Sequence, residues 1–311
     1  MPERMNSCSC LMALVVFCWL VGCDASRSQV SGGQRLGAQA TSAQASPSAH
    51  AQQKTPASES GAAIPPRSSA AHDFQLPDAD GWGSAAGLRY LEVVKGTDAP
   101  QRRLPLVILL HGLGDRARDI WIERPAQPMR LVMPQAPLPH GGGFAWFRAR
   151  VRDRRPGVLA EGVDRAARQL ARAIGQLAQH RPTRGCPIVG GFSQGGMLSY
   201  ALALRHADLL GTAIPIAGML PRPLWPTRAN AAHGARPGAV VRALHGDADK
   251  VVPTTADRDL IGHLKGLGYD ATLEEYLGVG HFVSPAMAAR LMQLVEEAAK
   301  NANQGEACVR K

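Results

Sequence analysis

The residues best suited to chemistry in this sequence are a serine and the acid and base that could activate it. Ser193 lies in Gly191-Phe192-Ser193-Gln194-Gly195, where an apolar run ends and a helix-forming segment begins. Glycines on both sides let the backbone bend sharply, so that a serine hydroxyl can stand exposed on a strand-to-helix elbow. In a chain with 33 glycines, the five-residue pattern by itself carries little weight.

Two partners for this serine follow it in the chain. A serine hydroxyl is a poor nucleophile until a neighbouring base, usually a histidine oriented by a carboxylate, takes its proton. Asp247 and Asp249 follow a predicted strand at 239–244, and His281 follows the next predicted strand at 272–276. The order serine, aspartate, histidine predicts acyl transfer through a covalent intermediate, and either aspartate could serve as the acid.

The elements that must position these residues alternate between strand and helix. Buried or half-buried strands are predicted at 89–94, 104–110, 130–133, 187–191, 212–217, 239–244 and 272–276. Helical patterns are predicted at 158–180, 197–204 and 255–267, and a last helix begins at Pro285 with Ser284 as its N-cap. This alternation predicts an α/β fold with a mostly parallel central sheet and helices on both faces.

From about Leu104 to the last helix, the chain resembles the bacterial carboxylesterase and lysophospholipase group of α/β-hydrolases, the relatives of acyl-protein thioesterases. Four motifs carry the resemblance: Leu110-His111-Gly112-Leu113-Gly114-Asp115, Gly191-Phe192-Ser193-Gln194-Gly195-Gly196, His245-Gly246-Asp247-Ala248-Asp249 with Val251-Val252-Pro253, and Gly280-His281. The resemblance implies the α/β-hydrolase fold and ester hydrolysis through an acyl-enzyme on Ser193, with His281 as base and no cofactor. It also selects Asp249, rather than Asp247, as the acid of the triad.

Two glycine-containing loops compete to form the oxyanion hole. The segment His111-Gly112-Leu113-Gly114 directly follows a buried strand, whereas His140-Gly141-Gly142-Gly143 follows a proline-rich loop. We assign the oxyanion hole to the backbone N–H groups of Leu113 and Gln194. His111 and His245 are interpreted as structural residues that hydrogen-bond loop backbone near the strand ends.

The sequence indicates the substrate preference less clearly than it indicates the triad residues. Lys250 stands where the resembled family usually has proline, and Arg148 stands where an aspartate is common. Candidates for an acyl pocket, which could equally be core residues, are Trp146, Phe147, Met219, Leu220 and Phe282. The same triad could hydrolyse thioesters or peptide and amide bonds, and a non-catalytic envelope protein is the remaining alternative.

Charge and composition argue against two other classes of site. The formal net charge is +10, but the arginines are scattered and not interleaved with aromatic residues, so no nucleic-acid partner is predicted. The histidines and aspartates lack the spacing of metal ligands, so no metal is predicted. The oligomeric state stays open.

The first residues resemble a bacterial lipoprotein signal. Residues 1–22 are predicted to be the signal peptide, because a short apolar stretch ends in the lipobox Leu20-Val21-Gly22-Cys23. Acylation of Cys23 would anchor an exported protein in the cell envelope, at the periplasmic face of a membrane. Asp24 does not decide whether that membrane is the inner or the outer one. Residues 23–72 are predicted to be a disordered tether, 73–301 the catalytic domain and 302–311 a tail.

Outside the signal and lipobox, two cysteines remain. Cys186 is predicted to be a buried, free thiol at the start of the strand before Ser193. The alternative is a Cys186–Cys308 disulfide, which an oxidising compartment would permit.

Overall fold

The computed structural model describes residues 74–118, 124–228 and 238–301. Its strands are β1 (Trp82–Ala85), β2 (Leu88–Lys95), β3 (Leu106–Leu110), β4 (Met129–Pro134), β5 (Leu138–His140), β6 (Gly143–Ala145), β7 (Ile188–Phe192), β8 (Thr212–Ile216), β9 (Val240–Gly246) and β10 (Ala271–Tyr276). Its α-helices are α1 (Pro156–His180), α2 (Gln194–Arg205), α3 (Thr254–Gly266) and α4 (Pro285–Asn301). Short 3₁₀ helices lie at Val151–Asp153, Ala207–Leu209 and Arg222–Leu224.

Eight of these strands form one sheet in the order β1-β2-β4-β3-β7-β8-β9-β10. The pairs β1–β2 and β2–β4 are antiparallel, and every pair from β4 through β10 is parallel. The mostly parallel sheet predicted from the strand–helix alternation is therefore confirmed. Because the parallel strands share one direction, the loops after β3, β7, β8, β9 and β10 leave the sheet at the same edge, its carboxyl edge.

The sheet is covered on both faces, and β3 shows how one strand serves both. Leu106, Ile108 and Leu110 belong to the core shared with α1, α2 and α3. Val107 and Leu109 alternate with them and belong to the core shared with α4. This period of two explains why the whole strand is buried and why its sequence is a continuous apolar run.

The predicted elements are present, with ends that shift by a few residues. Ser284 Oγ accepts the N–H of Met287 at 3.2 Å, which is the predicted cap at the start of α4. The sequence analysis missed β1 and the hairpin formed by β5 and β6. Each strand of that hairpin has only three residues, too few to show an alternating pattern.

Cys186 corrects one expectation. It is half-buried, lies two residues before β7 and is disulfide-bonded, so the prediction of a buried free thiol is wrong. Cys308 lies outside the described residues, as do the predicted signal, Cys23, the tether and the tail. No helix within the described ranges is both long and apolar enough to cross a membrane.

Candidate active site

Ser193 occupies a strained elbow between β7 and α2. Its φ is 55° and its ψ is −112°, a conformation that non-glycine residues rarely adopt. Its N–H donates to the carbonyl of Ile216 at 2.9 Å, which fixes the turn against the end of β8. A Cβ at Gly195 would lie 2.2 Å from the carbonyl oxygen of Leu110, so the elbow can approach β3 only with glycine there.

The three predicted triad residues meet at the carboxyl edge. The hydroxyl of Ser193 lies 2.9 Å from Nε2 of His281, and Nδ1 of the same imidazole lies 2.6 Å from Oδ2 of Asp249. Asp249 is buried, and Ser193 is 9% exposed. Three segments that are far apart in sequence thus bring a hydroxyl, an imidazole and a carboxylate into one hydrogen-bonded chain, the arrangement that can activate a serine as a nucleophile.

The carboxylate of Asp249 is held at both oxygens. Its Oδ1 accepts the N–H groups of Val251 and Val252 at 2.8 and 2.9 Å, and its Oδ2 lies 3.2 Å from Nε2 of His245. Burial alone would raise the pKa of Asp249, but the hydrogen bonds from His245, His281 and Val252 outweigh it and lower that pKa. Asp249 is therefore ionised and oriented. Asp247 is exposed, and it accepts the N–H of Gly278 at 2.6 Å.

His245 links Asp249 to a second buried carboxylate. Its Nδ1 lies 2.7 Å from Oδ2 of Asp257 on α3, and its Nε2 lies 2.9 Å from the carbonyl of Val252. Burial alone would lower the pKa of His245, but its hydrogen bonds to Asp249 and Asp257 raise it to about 9. Burial raises the pKa of Asp257. The predicted contact with loop backbone is present, but the sequence analysis missed both carboxylate contacts.

These side chains do not form a metal site. In the described part of the chain, no group of three or more histidines, cysteines, aspartates or glutamates is arranged to hold a metal ion.

Of the two N–H groups assigned to the oxyanion hole, that of Leu113 lies in the turn after β3 and that of Gln194 lies at the start of α2. Leu113 is half-buried in the turn after β3, and its N–H donates to no acceptor among the described residues. Gln194 is the first residue of α2, where backbone N–H groups have no partner within the helix. Both positions suit a donor reserved for substrate.

The competing His140–Gly143 segment supports that loop from outside. It forms the turn of the β5–β6 hairpin, and Phe144 bonds both Gly114 and Asp115 through its backbone at 2.8 and 2.9 Å. A Cβ at Gly143 would lie only 2.1 Å from the carbonyl oxygen of Gly114. The glycine at this position is therefore explained by close backbone packing.

The side chain of Gln194 has a second role that the sequence did not indicate. Its Oε1 accepts the N–H of Trp146 and its Nε2 donates to the carbonyl of Phe147, both at 2.9 Å. The indole of Trp146 donates in turn to the carbonyl of His111 at 2.9 Å. His111 itself accepts the N–H of Ala136 at 3.1 Å, consistent with its predicted structural role. One buried amide thus ties the hairpin segment to the elbow.

The residues predicted to line an acyl pocket are not brought together. Trp146 and Phe147 are 4% exposed and border a cavity of about 420 Å³ beside α1. Met219 borders a different cavity, of about 560 Å³. Leu220 is buried in the core, whereas Phe282 is 48% exposed. Hydrophobicity alone could not separate these locations, because core and pocket residues have the same composition.

Comparison with known proteins agrees with this geometry. Residues 88–298 match the phospholipase/carboxylesterase family. The chain is 27% identical over 211 residues to acyl-protein thioesterase 1 of Gibberella zeae, covering 60% of this chain and 87% of that protein. It is 29% identical over 205 residues to a protein of Oryza sativa subsp. japonica described as a probable inactive carboxylesterase, covering 59% of this chain and 79% of that protein.

A solved structure extends the likeness to the fold. The crystal structure of esterase PE8 superposes with a TM-score of 0.54 at 26% identity, over 66% of this chain and 99% of that one. The described residues therefore have the α/β-hydrolase fold, as predicted. The family match spans more than half of the sequence and contains Ser193, Asp249 and His281. The chain belongs to the phospholipase/carboxylesterase family.

Proposed function

We propose that this protein is a serine hydrolase that cleaves carboxylic esters through an acyl-enzyme on Ser193. The observation that carries the proposal is the unbroken chain of hydrogen bonds from Ser193 through His281 to Asp249. Family membership supports the substrate class, because the matched family is one of phospholipases and carboxylesterases. No cofactor enters the reaction.

The geometry suggests the order of events. His281 takes the proton of Ser193 as the hydroxyl oxygen attacks the ester carbonyl, and Asp249 stabilises the imidazolium that forms. The N–H groups of Leu113 and Gln194 stabilise the negative oxygen of the tetrahedral intermediate. His281 then protonates the departing alcohol. Water, activated by the same imidazole, hydrolyses the acyl-enzyme and restores the serine.

The direct test is removal of the nucleophile. We expect Ser193→Ala to lower kcat on p-nitrophenyl butyrate by at least about 10⁴-fold, because no other group can form the acyl-enzyme. Ser84→Ala, in the edge strand β1 and separated from β7 by three strands of the sheet, is the matched control and should retain activity. Unchanged turnover by Ser193→Ala would refute the assignment.

Two alternatives remain on the same site. A thioesterase reading is supported by the fungal relative, which is named acyl-protein thioesterase 1. Butyryl esters, thioesters and anilides compared at equal acyl length would separate esterase, thioesterase and amidase activity. A non-catalytic protein is suggested by the rice relative's description as inactive. A fluorophosphonate probe would label Ser193 in an active enzyme and leave a non-catalytic protein unlabelled.

We also propose that the protein is exported and lipid-anchored at Cys23. The support is the lipobox of the sequence alone, since these residues lie outside the described ranges. Mass spectrometry of the membrane fraction should find an acylated N-terminal Cys23, and Cys23→Ser should release the protein from that fraction. An unmodified Cys23 in the mature protein would refute the anchor.

A further inference from the structure

A second feature of the carboxyl edge is a cavity of about 560 Å³ that is bordered by both arginines and apolar residues. We call it the arginine cavity. Arg150, Arg154, Arg155 and Arg222 border it, together with apolar residues that include Leu159, Met219 and Pro221. Its lining thus combines a hydrocarbon surface with several permanent positive charges.

Two walls of the arginine cavity are attached to the nucleophile elbow. Met219 lies three residues beyond Ile216, the last residue of β8, whose carbonyl accepts the N–H of Ser193. Arg150 lies three residues beyond Phe147, whose carbonyl accepts the side-chain amide of Gln194. Gln194 directly follows Ser193. The cavity is therefore bordered by loops that bond the residues of the reacting centre.

The positive charge at this cavity is poorly neutralised. Residues 148–155 contain five arginines and one aspartate. Asp153 uses one carboxylate oxygen to accept the backbone N–H of Arg150 at 2.8 Å. The guanidinium of Arg150 donates to His140 at 3.2 Å, and within the described ranges no carboxylate pairs with the guanidinium groups of Arg150, Arg154 or Arg155.

The fourth arginine is only weakly engaged. The guanidinium of Arg222 lies over the ring of Trp225 at 4.7 Å and 3.4 Å from the carboxylate of Asp259. Both members of that ion pair are largely exposed, so water and salt screen their attraction. Arg222 therefore retains donors that can turn towards the cavity.

We propose that the arginine cavity binds an anionic group of the substrate, so that the preferred substrate is a carboxylic ester that also bears a carboxylate or a phosphate. Guanidinium groups bind both oxyanions through paired hydrogen bonds, and Leu159, Met219 and Pro221 offer contacts to the adjoining hydrocarbon. A neutral ester would leave these cations without a partner. This inference rests on the proposed function, because it names the substrate class of the same serine.

The kinetic test compares esters that differ in charge. The pair is p-nitrophenyl butyrate and the mono-p-nitrophenyl ester of glutaric acid, which carries a free carboxylate at the end of its acyl chain. A third substrate, 1-butyrylglycerol 3-phosphate, places a phosphate on the alcohol side. We expect kcat/KM to be higher than for the neutral ester when the anionic group is on the acyl side, on the alcohol side, or on both. In Arg150→Gln/Arg154→Gln the ratio of anionic to neutral kcat/KM should fall about tenfold.

The matched control removes the same charge elsewhere. Arg102→Gln/Arg172→Gln neutralises two exposed arginines that do not border the cavity, and its ratio should equal that of the unchanged protein. An equal fall in both double variants would show a general field effect and overturn the proposal. A ratio that neither variant alters would overturn it as well.

A binding measurement keeps the inference separate from catalysis. Calorimetry on Ser193→Ala should show that octyl phosphate binds, that octanol binds more weakly, and that Arg150→Gln/Arg154→Gln in the same background weakens octyl phosphate about tenfold. If octyl phosphate binds more tightly than inorganic phosphate, the cavity is assigned to an ester with a hydrocarbon chain; if the two bind equally, it is assigned to a short, soluble ester. If neither octyl phosphate nor inorganic phosphate binds, the inference fails even if Ser193 hydrolyses neutral esters. If octyl phosphate binds but no ester is hydrolysed, only the proposed function fails.

Discussion

Two buried clusters of charged residues lie at opposite edges of the same sheet. Near the amino ends of the parallel strands, Glu92 is shared by the guanidinium groups of Arg130 and Arg181. At the carboxyl edge, the imidazole of His245 is shared by the carboxylates of Asp249 and Asp257. We call them the amino-edge cluster and the carboxyl-edge cluster. The first joins one anion to two cations, and the second joins one imidazole to two carboxylates.

The difference between the clusters lies in where their hydrogen bonds lead. In the amino-edge cluster, Arg130 is fully buried and also donates to the carbonyl of Pro100 at 2.7 Å, so its bonds end within the framework. In the carboxyl-edge cluster, Asp249 also bonds His281, and His281 in turn bonds Ser193. The same device, a buried shared charge, thus holds strands together at one edge and, in the proposed mechanism, orients the catalytic histidine at the other.

The largest expected effect comes from the carboxyl-edge cluster. Asp249→Asn should lower kcat on p-nitrophenyl butyrate by about 10³- to 10⁴-fold, because an amide cannot hold His281 in the tautomer that accepts the serine proton. Steady-state kinetics on protein whose circular dichroism matches the unchanged chain would check this. A fall of less than tenfold would remove the functional distinction between the two clusters.

The next effect is on stability and belongs to the amino-edge cluster. Glu92→Gln should lower the free energy of unfolding by about 3–5 kcal/mol, because it leaves the buried guanidinium of Arg130 without a counter-charge. Urea denaturation would measure it. The kcat of the folded variant should stay within about twofold; a large loss of kcat would show that this cluster also acts on the site.

A smaller effect concerns pH. The pKa of His245 is raised from 6.5 to about 9, so its contribution to stability is fully present below pH 6.5 and is lost as the pH rises through 9. We expect the unchanged protein to lose up to about 3 kcal/mol relative to His245→Gln over this interval. Urea denaturation of both proteins from pH 6 to 9.5 would check it. Parallel curves would show that His245 is not charged in the folded state.

The smallest effect tests whether burial is the reason why substitutions in the two clusters are expected to have large effects. Asp164 pairs with Arg205 at 2.8 Å and also with Arg168, but both guanidinium groups are exposed to water. Asp164→Asn should cost less than about 1 kcal/mol and should cost still less in 0.5 M salt. A loss comparable to that of Glu92→Gln, measured in the same urea assay, would show that burial is not the cause.

The sequence predicted the sheet and the triad because both leave local patterns. The apolar run of β3, the period of α1 and the glycines around Ser193 are readable within short windows. The His245–Asp257 contact leaves no such pattern, because nothing local distinguishes Asp257 from the neighbouring Asp259 on α3. Aromatic residues near the site could not be divided between core and pocket either, because no local pattern distinguishes the two locations.

The sequence by itself determined which residues could carry the chemistry, because a nucleophile elbow and two strand-end partners in order are properties of the chain. Only the tertiary structure decided what surrounds them. The Gln194 bridge to Trp146 and Phe147, the His245 link to Asp257 and the arginine cavity all join segments between 12 and about 70 residues apart. Such contacts depend on how helices and loops pack at one edge of the sheet, and packing is a property of the whole fold rather than of any segment.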